Sequence, residues 1–180
     1  SKWKAEEGLK NLSSQGEMGI TILRFPLVYG PKVKANFLRL IGIVHKKLPL
    51  PFGSIQNKRS MIFLENLVDA LFVTMGKKSS YNKTFLLSDG QDLSTRELVQ
   101  ILGKHMRYDP FLLPIPVPVL KFAGKITGKK EIITRLCDSL SVNGKSFRKE
   151  LSWEPPFTVD QGLAKTVNWY LEQKSSTLPS

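Results

Sequence analysis

Two periodicities alternate along this chain, and the places where one gives way to the other mark out its elements. Over residues 2–14, Trp3, Leu9 and Leu12 recur among lysines and glutamates, which predicts an amphipathic helix. Gly16 and Gly19 end it. The pattern then changes. Ile20, Ile22 and Leu23 form an aliphatic, β-branched run bounded by Gly19 and by the Gly30-Pro31 stop, with no charge before Arg24. Such a run reads as a strand buried on both faces, continuing into Phe25–Tyr29. Helical spacing returns over Ala35–Val44, and Pro49 and Pro51 stop that helix near Lys47. Arg59–Phe63 is short and extended. Leu67, Val68, Leu71, Phe72 and Met75 then predict a helix over 64–75, closed by Gly76.

The second half repeats the alternation. Lys83–Ser88 is another short buried strand, turned by Asp89-Gly90. Ser94-Thr95-Arg96-Glu97 is a capping box that opens a helix over 95–107. Three prolines keep Phe111–Pro118 extended and out of any central strand. Short helices are expected over 119–126, 131–137 and 145–150, and a last one from Val159 to Glu172. Ser175–Ser180 is expected to fray. Short strands alternating with helices point to an α/β fold. In a parallel sheet of that kind, ligands gather just past the carboxyl ends of strands. Arg24–Pro31 is therefore the first place to look for one.

Composition narrows the class of protein. The 180 residues are enough for one domain with a core, and 41% hydrophobic with 23% charged residues is ordinary globular usage. No apolar run approaches the ~20 residues that span a bilayer, and the charged, helical start is not a signal peptide. The single Cys137 cannot form an internal disulfide, so a reducing cytoplasm is the expected compartment. With only His45 and His105 beside it, Cys137 makes no metal site.

The net charge of +12 admits three readings. Nucleic-acid binding would gather lysines on one face with interleaved aromatics. Here they are spread in pairs: Lys46-Lys47, Lys77-Lys78, Lys129-Lys130. A membrane-surface helix would need a basic amphipathic segment, and none is clear. That leaves solvated lysines, with a minority that meet an anionic ligand. Neither a nucleic-acid partner nor a membrane is expected. No Ser/His/Asp triad, paired carboxylates or phosphate-cradling glycine loop is evident.

One pair of motifs is more specific. S-K-x-x-A-E at Ser1–Glu6, followed by I-L-R-x-x-x-V-Y-G-P at Ile22–Pro31, resembles the extended short-chain dehydrogenase/reductase family. The similar branch is the nucleotide-sugar epimerases and dehydratases, of the UDP-glucose 4-epimerase-like kind. The resemblance covers nearly the whole chain and implies its C-terminal portion only. Lys2 matches the lysine of the family's Tyr-x-x-x-Lys motif, whose tyrosine falls before Ser1.

The resemblance also implies roles. Lys2 would hold the ribose of NAD or NADP and lower the pKa of the tyrosine, since a nearby cation favours a phenolate. Phe25, Pro26 and Leu27 would pass beside the nicotinamide. Many members carry Asn where this chain has Leu27, which cannot donate the same bond; this leaves room for a different sugar or a reductase. Asn36 and Phe37 would meet the diphosphate-uridine part of a UDP-sugar at a helix start. The Leu50–Gly53 loop, with Pro51 and Phe52, would line the base. Arg59, ahead of Met61-Ile62-Phe63 and Asn66–Ala70, matches the arginine that pairs with the pyrophosphate through two parallel charge-assisted bonds. Asp69 reads as structural. Arg135 and Asp138 lie where the family supplies another arginine and acid, but the motif there does not match. Val142–Trp153 resembles a late segment that packs the substrate domain.

The fold implied is the last strands and helices of a Rossmann-like parallel sheet, interleaved with a small α/β substrate-binding domain. Residues 1–30 would end the NAD(P)-binding domain, 31–63 belong to the substrate side, 64–88 return to the Rossmann sheet, 89–174 form the substrate-binding domain and 175–180 the tail. The full-length enzyme would be a homodimer. Two alternatives stay open: a non-catalytic sugar-nucleotide-binding or interaction module, and a short-chain reductase acting on a non-nucleotide alcohol or ketone.

Overall fold

The computed structural model describes residues 2–14, 16 and 19–176, with the backbone alone for Lys2, Trp3 and Ser14. Helix α1 (Lys2–Ser14) precedes strand β1 (Thr21–Arg24). After a bend at Phe25-Pro26 comes β2 (Leu27–Tyr29), then α2 (Ala35–His45). Strand β3 (Met61–Phe63) runs directly into α3 (Leu64–Thr74), and β4 (Lys83–Leu86) follows. The remainder is helical: α4 (Thr95–His105), α5 (Val117–Ile126), α6 (Lys130–Cys137), α7 (Lys145–Leu151) and α8 (Val159–Ser175).

The strands form two parallel pairs. β1 lies beside β4, with Ile22 opposite Thr84, and β2 lies beside β3, with Val28 opposite Ile62. The single strand expected over 20–29 is thus two, because Pro26 removes a ladder donor and the chain bends there. The expectation of burial on both faces also fails. Thr21, Ile22 and Leu23 are only half-buried, and in β4 Phe85 alone is buried. β1 pairs on one edge only among the described residues, which leaves the backbone groups of its other edge open.

Two apolar clusters hold the chain together. The larger joins α2, β2, β3, α4 and α8 through Tyr29, Phe37, Ile41, Val44, Phe63, Leu102, Leu163 and Val167. Close approach of α8 depends on Gly162: a Cβ there would fall 2.8 Å from Tyr29 Oη and 2.9 Å from the Phe63 ring. The smaller cluster packs Ile62, Leu67, Phe85, Phe147, Leu151 and Trp153. Trp153 Nε1 donates to Asp69 at 2.7 Å, the structural role expected of that aspartate. The Ser94/Glu97 capping box forms, and a second one at Thr158/Gln161 opens α8.

Candidate functional site

Arg59 is pinned from both sides. Its N–H donates to Leu93 O at 2.9 Å and its carbonyl accepts from Leu93 N at 3.1 Å. On the other flank Ser60 N donates to Leu140 O, and Leu140 N to Lys58 O, at 2.9 and 2.8 Å. An extended backbone held on two edges fixes where its side chains point. That of Arg59 goes beneath the C-terminus of α6, where Nη1 donates to the Arg135 carbonyl. The last carbonyls of a helix lack intrahelical partners and carry partial negative charge, so a guanidinium there is well placed.

Neighbouring donors complete the arrangement. Asn57 Nδ2 donates to Leu136 O and Asp138 O at 3.1 and 3.0 Å, and Thr95 Oγ1 donates to Leu136 O at 2.6 Å. Thr95 N in turn donates to Asn57 Oδ1 at 2.8 Å. Burial lowers the pKa of Arg59, against the pull of Asp138, but a guanidinium remains charged at neutral pH. With Nη1 engaged, Nε and Nη2 have no partner among the described residues. Half a fork is therefore left to grip an anion such as a diphosphate. Arg135 and Asp138 flank the same carbonyls, their side chains paired outward with Glu131 at 3.7 Å and Lys121 at 2.9 Å.

The other sequence-predicted residues fall in different settings. Phe25 and Leu27 are exposed and Pro26 half-buried at the bend past the carboxyl end of β1. Lys2 begins α1, and its side chain lies outside the described residues. Asn36 is exposed in the first turn of α2, one residue past the helix start rather than at its cap, which is Lys34. The rings of Phe37 and Phe52 are turned into the larger core, Phe37 stacked on Tyr29 with centroids 5.8 Å apart. The structure does not put either ring on a surface with Arg59. Phe52 is anchored because Leu50 N donates to Phe111 O and Leu113 N to Leu50 O, which leaves Pro51 half-buried at the loop's edge.

Sequence reasoning missed a buried knot around Asp89. Its carboxylate accepts from Tyr29 Oη at 2.9 Å, Asn66 Nδ2 at 2.8 Å and Phe63 N at 2.9 Å. Burial pushes the Asp89 carboxyl up, and it pushes the Tyr29 phenol far up, with the charge of Asp89 acting the same way. Tyr29 is therefore a permanent donor that ties β2 to the turn after β4, not a base. Partners 60 residues apart carry no local signal; the Asp89-Gly90 pair reads only as a turn.

Known proteins share this fold. No family model matches the chain. It is 40% identical over 173 residues to the UDP-glucose 4-epimerase of Vibrio cholerae, covering 96% of this chain and 53% of that one. The chain is similar to nucleotide-sugar epimerases and dehydratases along nearly its whole length. It matches their C-terminal portion and spans about half the length of the curated relatives it matches. The fold is that of the Thermotoga maritima UDP-glucose 4-epimerase solved with UDP-glucose: TM-score 0.70, 19% identity, 96% of this chain and 52% of that one. A dTDP-glucose 4,6-dehydratase from Bacillus anthracis, solved with NAD, superimposes with TM-score 0.68 at 17% identity, over 95% of this chain and 50% of that one. The Rossmann-like α/β class read from the sequence is the one found.

Proposed function

We propose that this chain is the substrate-binding portion of an NAD(P)-dependent nucleotide-sugar epimerase or dehydratase. The observation that carries the reading is the identity to an epimerase across nearly the whole chain, joined to the placement of Arg59 beneath α6 with half its fork open. In this reading Arg59 grips the diphosphate of a UDP-sugar, and Asn36 and Pro51 border the nucleotide. Residues 1–30 and 64–88 belong to the cofactor-binding sheet, and 31–63 and 89–174 to the substrate side. The parallel pair β1–β4 supports that interleaving, whereas β2–β3 joins residues 27–29 to 61–63 across the boundary.

The residues present suit a nicotinamide cofactor. The Phe25–Leu27 bend lies just past the carboxyl end of a parallel strand and is open to contact, where such sheets bind ligands. When bound, the cofactor supplies the hydride acceptor that takes a sugar through a keto intermediate. The chain's own residues orient: Pro26 presents backbone, Phe25 shields a ring from water, and Lys2 holds ribose hydroxyls and favours a neighbouring phenolate. These 180 residues contain neither the glycine-rich phosphate turn nor the tyrosine, so we expect no turnover from them alone and weak cofactor affinity. The full-length enzyme would be a cytoplasmic homodimer. Among the described residues no helix is long and apolar enough to cross a membrane.

Calorimetric titration with UDP tests the assignment. We expect saturable binding that weakens by about tenfold or more in Arg59→Ala, since a hydrogen bond to a charged group contributes roughly 1.5–3 kcal/mol. Unchanged affinity would remove Arg59 from the site.

A further inference from the structure

Lys58 and Arg59 are consecutive on an extended backbone, so their side chains leave on opposite faces. The face opposite Arg59 holds a cleft of about 890 Å³, within the roughly 300–1,000 Å³ of small-molecule sites. Its walls are residues 55–58, the turn at 88–92, the first turns of α4 and the approach to α7. None of the residues given a cofactor or substrate role from sequence lines it.

Charge is distributed unevenly in this cleft. Among the described residues four cations line it, Lys58, Arg96, Lys145 and Arg148, against two carboxylates, Asp92 and Glu97. Both carboxylates are already used. Asp92 accepts from Ser60 Oγ and Ser141 Oγ at 2.5 Å each, and Glu97 accepts from Ser94 N at 2.7 Å in the α4 capping box. Arg96 Nη1 donates to Gly53 O at 3.2 Å and Arg148 Nη2 to Ser88 O at 3.4 Å, and Arg148 Nη1 also lies 3.7 Å from Glu154 Oε2. Arg148 lies across Gly90, where a Cβ would come within 2.1 Å of its Nη2; the glycine, at φ +86°, gives the guanidinium its place. Lys58 Nζ and Lys145 Nζ have no hydrogen-bond or ion-pair partner among the described residues. A concave surface with engaged acids and unanswered ammonium groups concentrates anions.

The rest of the lining narrows the ligand. Among the described residues no aromatic side chain faces the cleft, so a nucleobase would find nothing there to stack on. Gln56, Gln100, Ser88 and Asn143 offer amides and hydroxyls instead. We propose that this cleft is a second ligand site, for a phosphate-bearing, hydroxyl-rich molecule of the sugar-phosphate class. Lys58 and Lys145 hold the phosphate and the amides hold the hydroxyls. The site is separate from the nucleotide grip assigned to Arg59 and stands whether or not that assignment holds.

The test is calorimetric titration of the 180-residue chain with glucose 1-phosphate, with inorganic phosphate as a second probe. Saturable binding of glucose 1-phosphate is expected, with inorganic phosphate competing more weakly. The affinity should fall by about tenfold or more in the Lys58→Gln/Lys145→Gln double variant, because two charged hydrogen bonds are lost. It should be unchanged in Arg59→Gln. Both lysines are exposed, so the double variant keeps its fold, and an unaltered thermal melt verifies that. Absence of saturable binding at millimolar ligand overturns the proposal. So does binding that the double variant retains, or binding lost in Arg59→Gln, which would assign the phosphate to the other face.

Discussion

The two apolar clusters differ in how completely the chain encloses them. Around Tyr29, Ile41, Phe63 and Leu163, helices α2, α4 and α8 close over the β2–β3 pair, and the side chains there are almost wholly buried. Around Phe85 and Trp153 the chain covers one side only. The outward faces of α3, α1 and the β1–β2 bend keep Phe72 at 67% and Met75 at 72% exposure, with Val68, Leu71, Leu9, Leu12 and Phe25 also open. The contrast shows that hydrophobic periodicity marks an element's apolar face but not whether this chain itself covers that face.

The sharpest way to break the contrast is to empty the enclosed region. Phe63→Ala should cost about 3–5 kcal/mol in urea unfolding, the range for a large core ring replaced by a cavity. A cost below 1 kcal/mol would mean that α8 does not seal over β3 (compare roughly 3–5 for such rings).

Next in size is the polar knot of the same region. Asp89→Ala leaves buried donors on Asn66 and Phe63 unmet and Tyr29 with only the longer bond to Val159 O, and should cost about 1–3 kcal/mol. Asp89→Asn keeps one oxygen and removes the buried charge, so its loss should be smaller at neutral pH. The pH dependence carries a definite sign. The folded pKa of Asp89 is raised, so the folded state holds the proton more tightly than the unfolded chain. Its contribution is full below the ordinary carboxylate pKa and is lost as pH rises through the raised folded value. Melting temperature followed from acid toward neutral should show this decline in the parent and a flatter profile in Asp89→Asn. An identical profile would place the titration elsewhere.

Smaller effects sharpen the contrast. Ser94→Ala should cost about 1 kcal/mol, since the capping box on α4 satisfies two orphan amide groups. Glu97 has its pKa lowered by the bonds with Ser94, so this cap is present above the ordinary carboxylate pKa and weakens as pH falls through the lowered value. Smallest of all, Phe72→Ser on the open face should change stability by no more than about 0.5 kcal/mol in the same assay. A larger loss would show that α3 is covered in solution.

The elements that local chemistry specifies were legible in the chain. Proline and glycine punctuation set the ends of α2 and α3, and the Ser94/Glu97 spacing announced α4. Arg59 was singled out through motif context. Its fixing by α6 carbonyls was not, because main-chain acceptors have no residue identity to read. The Tyr29–Asp89 bond and the Lys58 cleft arise from segments far apart in the chain, which no window reveals. Phe52 shows the converse. An aromatic in a turn-forming loop looks available to a ligand, yet pairing of 50–53 with 111–113 rotates it inward.

Cys137, the chain's sole cysteine, closes α6 beside the carbonyls held by Asn57 and Thr95, with its thiol buried and its pKa pushed up by that burial. It therefore serves as a built-in stopwatch. A thiol reagent should react faster when α6 lifts from its clamps, so the labelling rate reports that opening. A ligand that draws Arg59 toward itself would change the tempo without touching the sulfur.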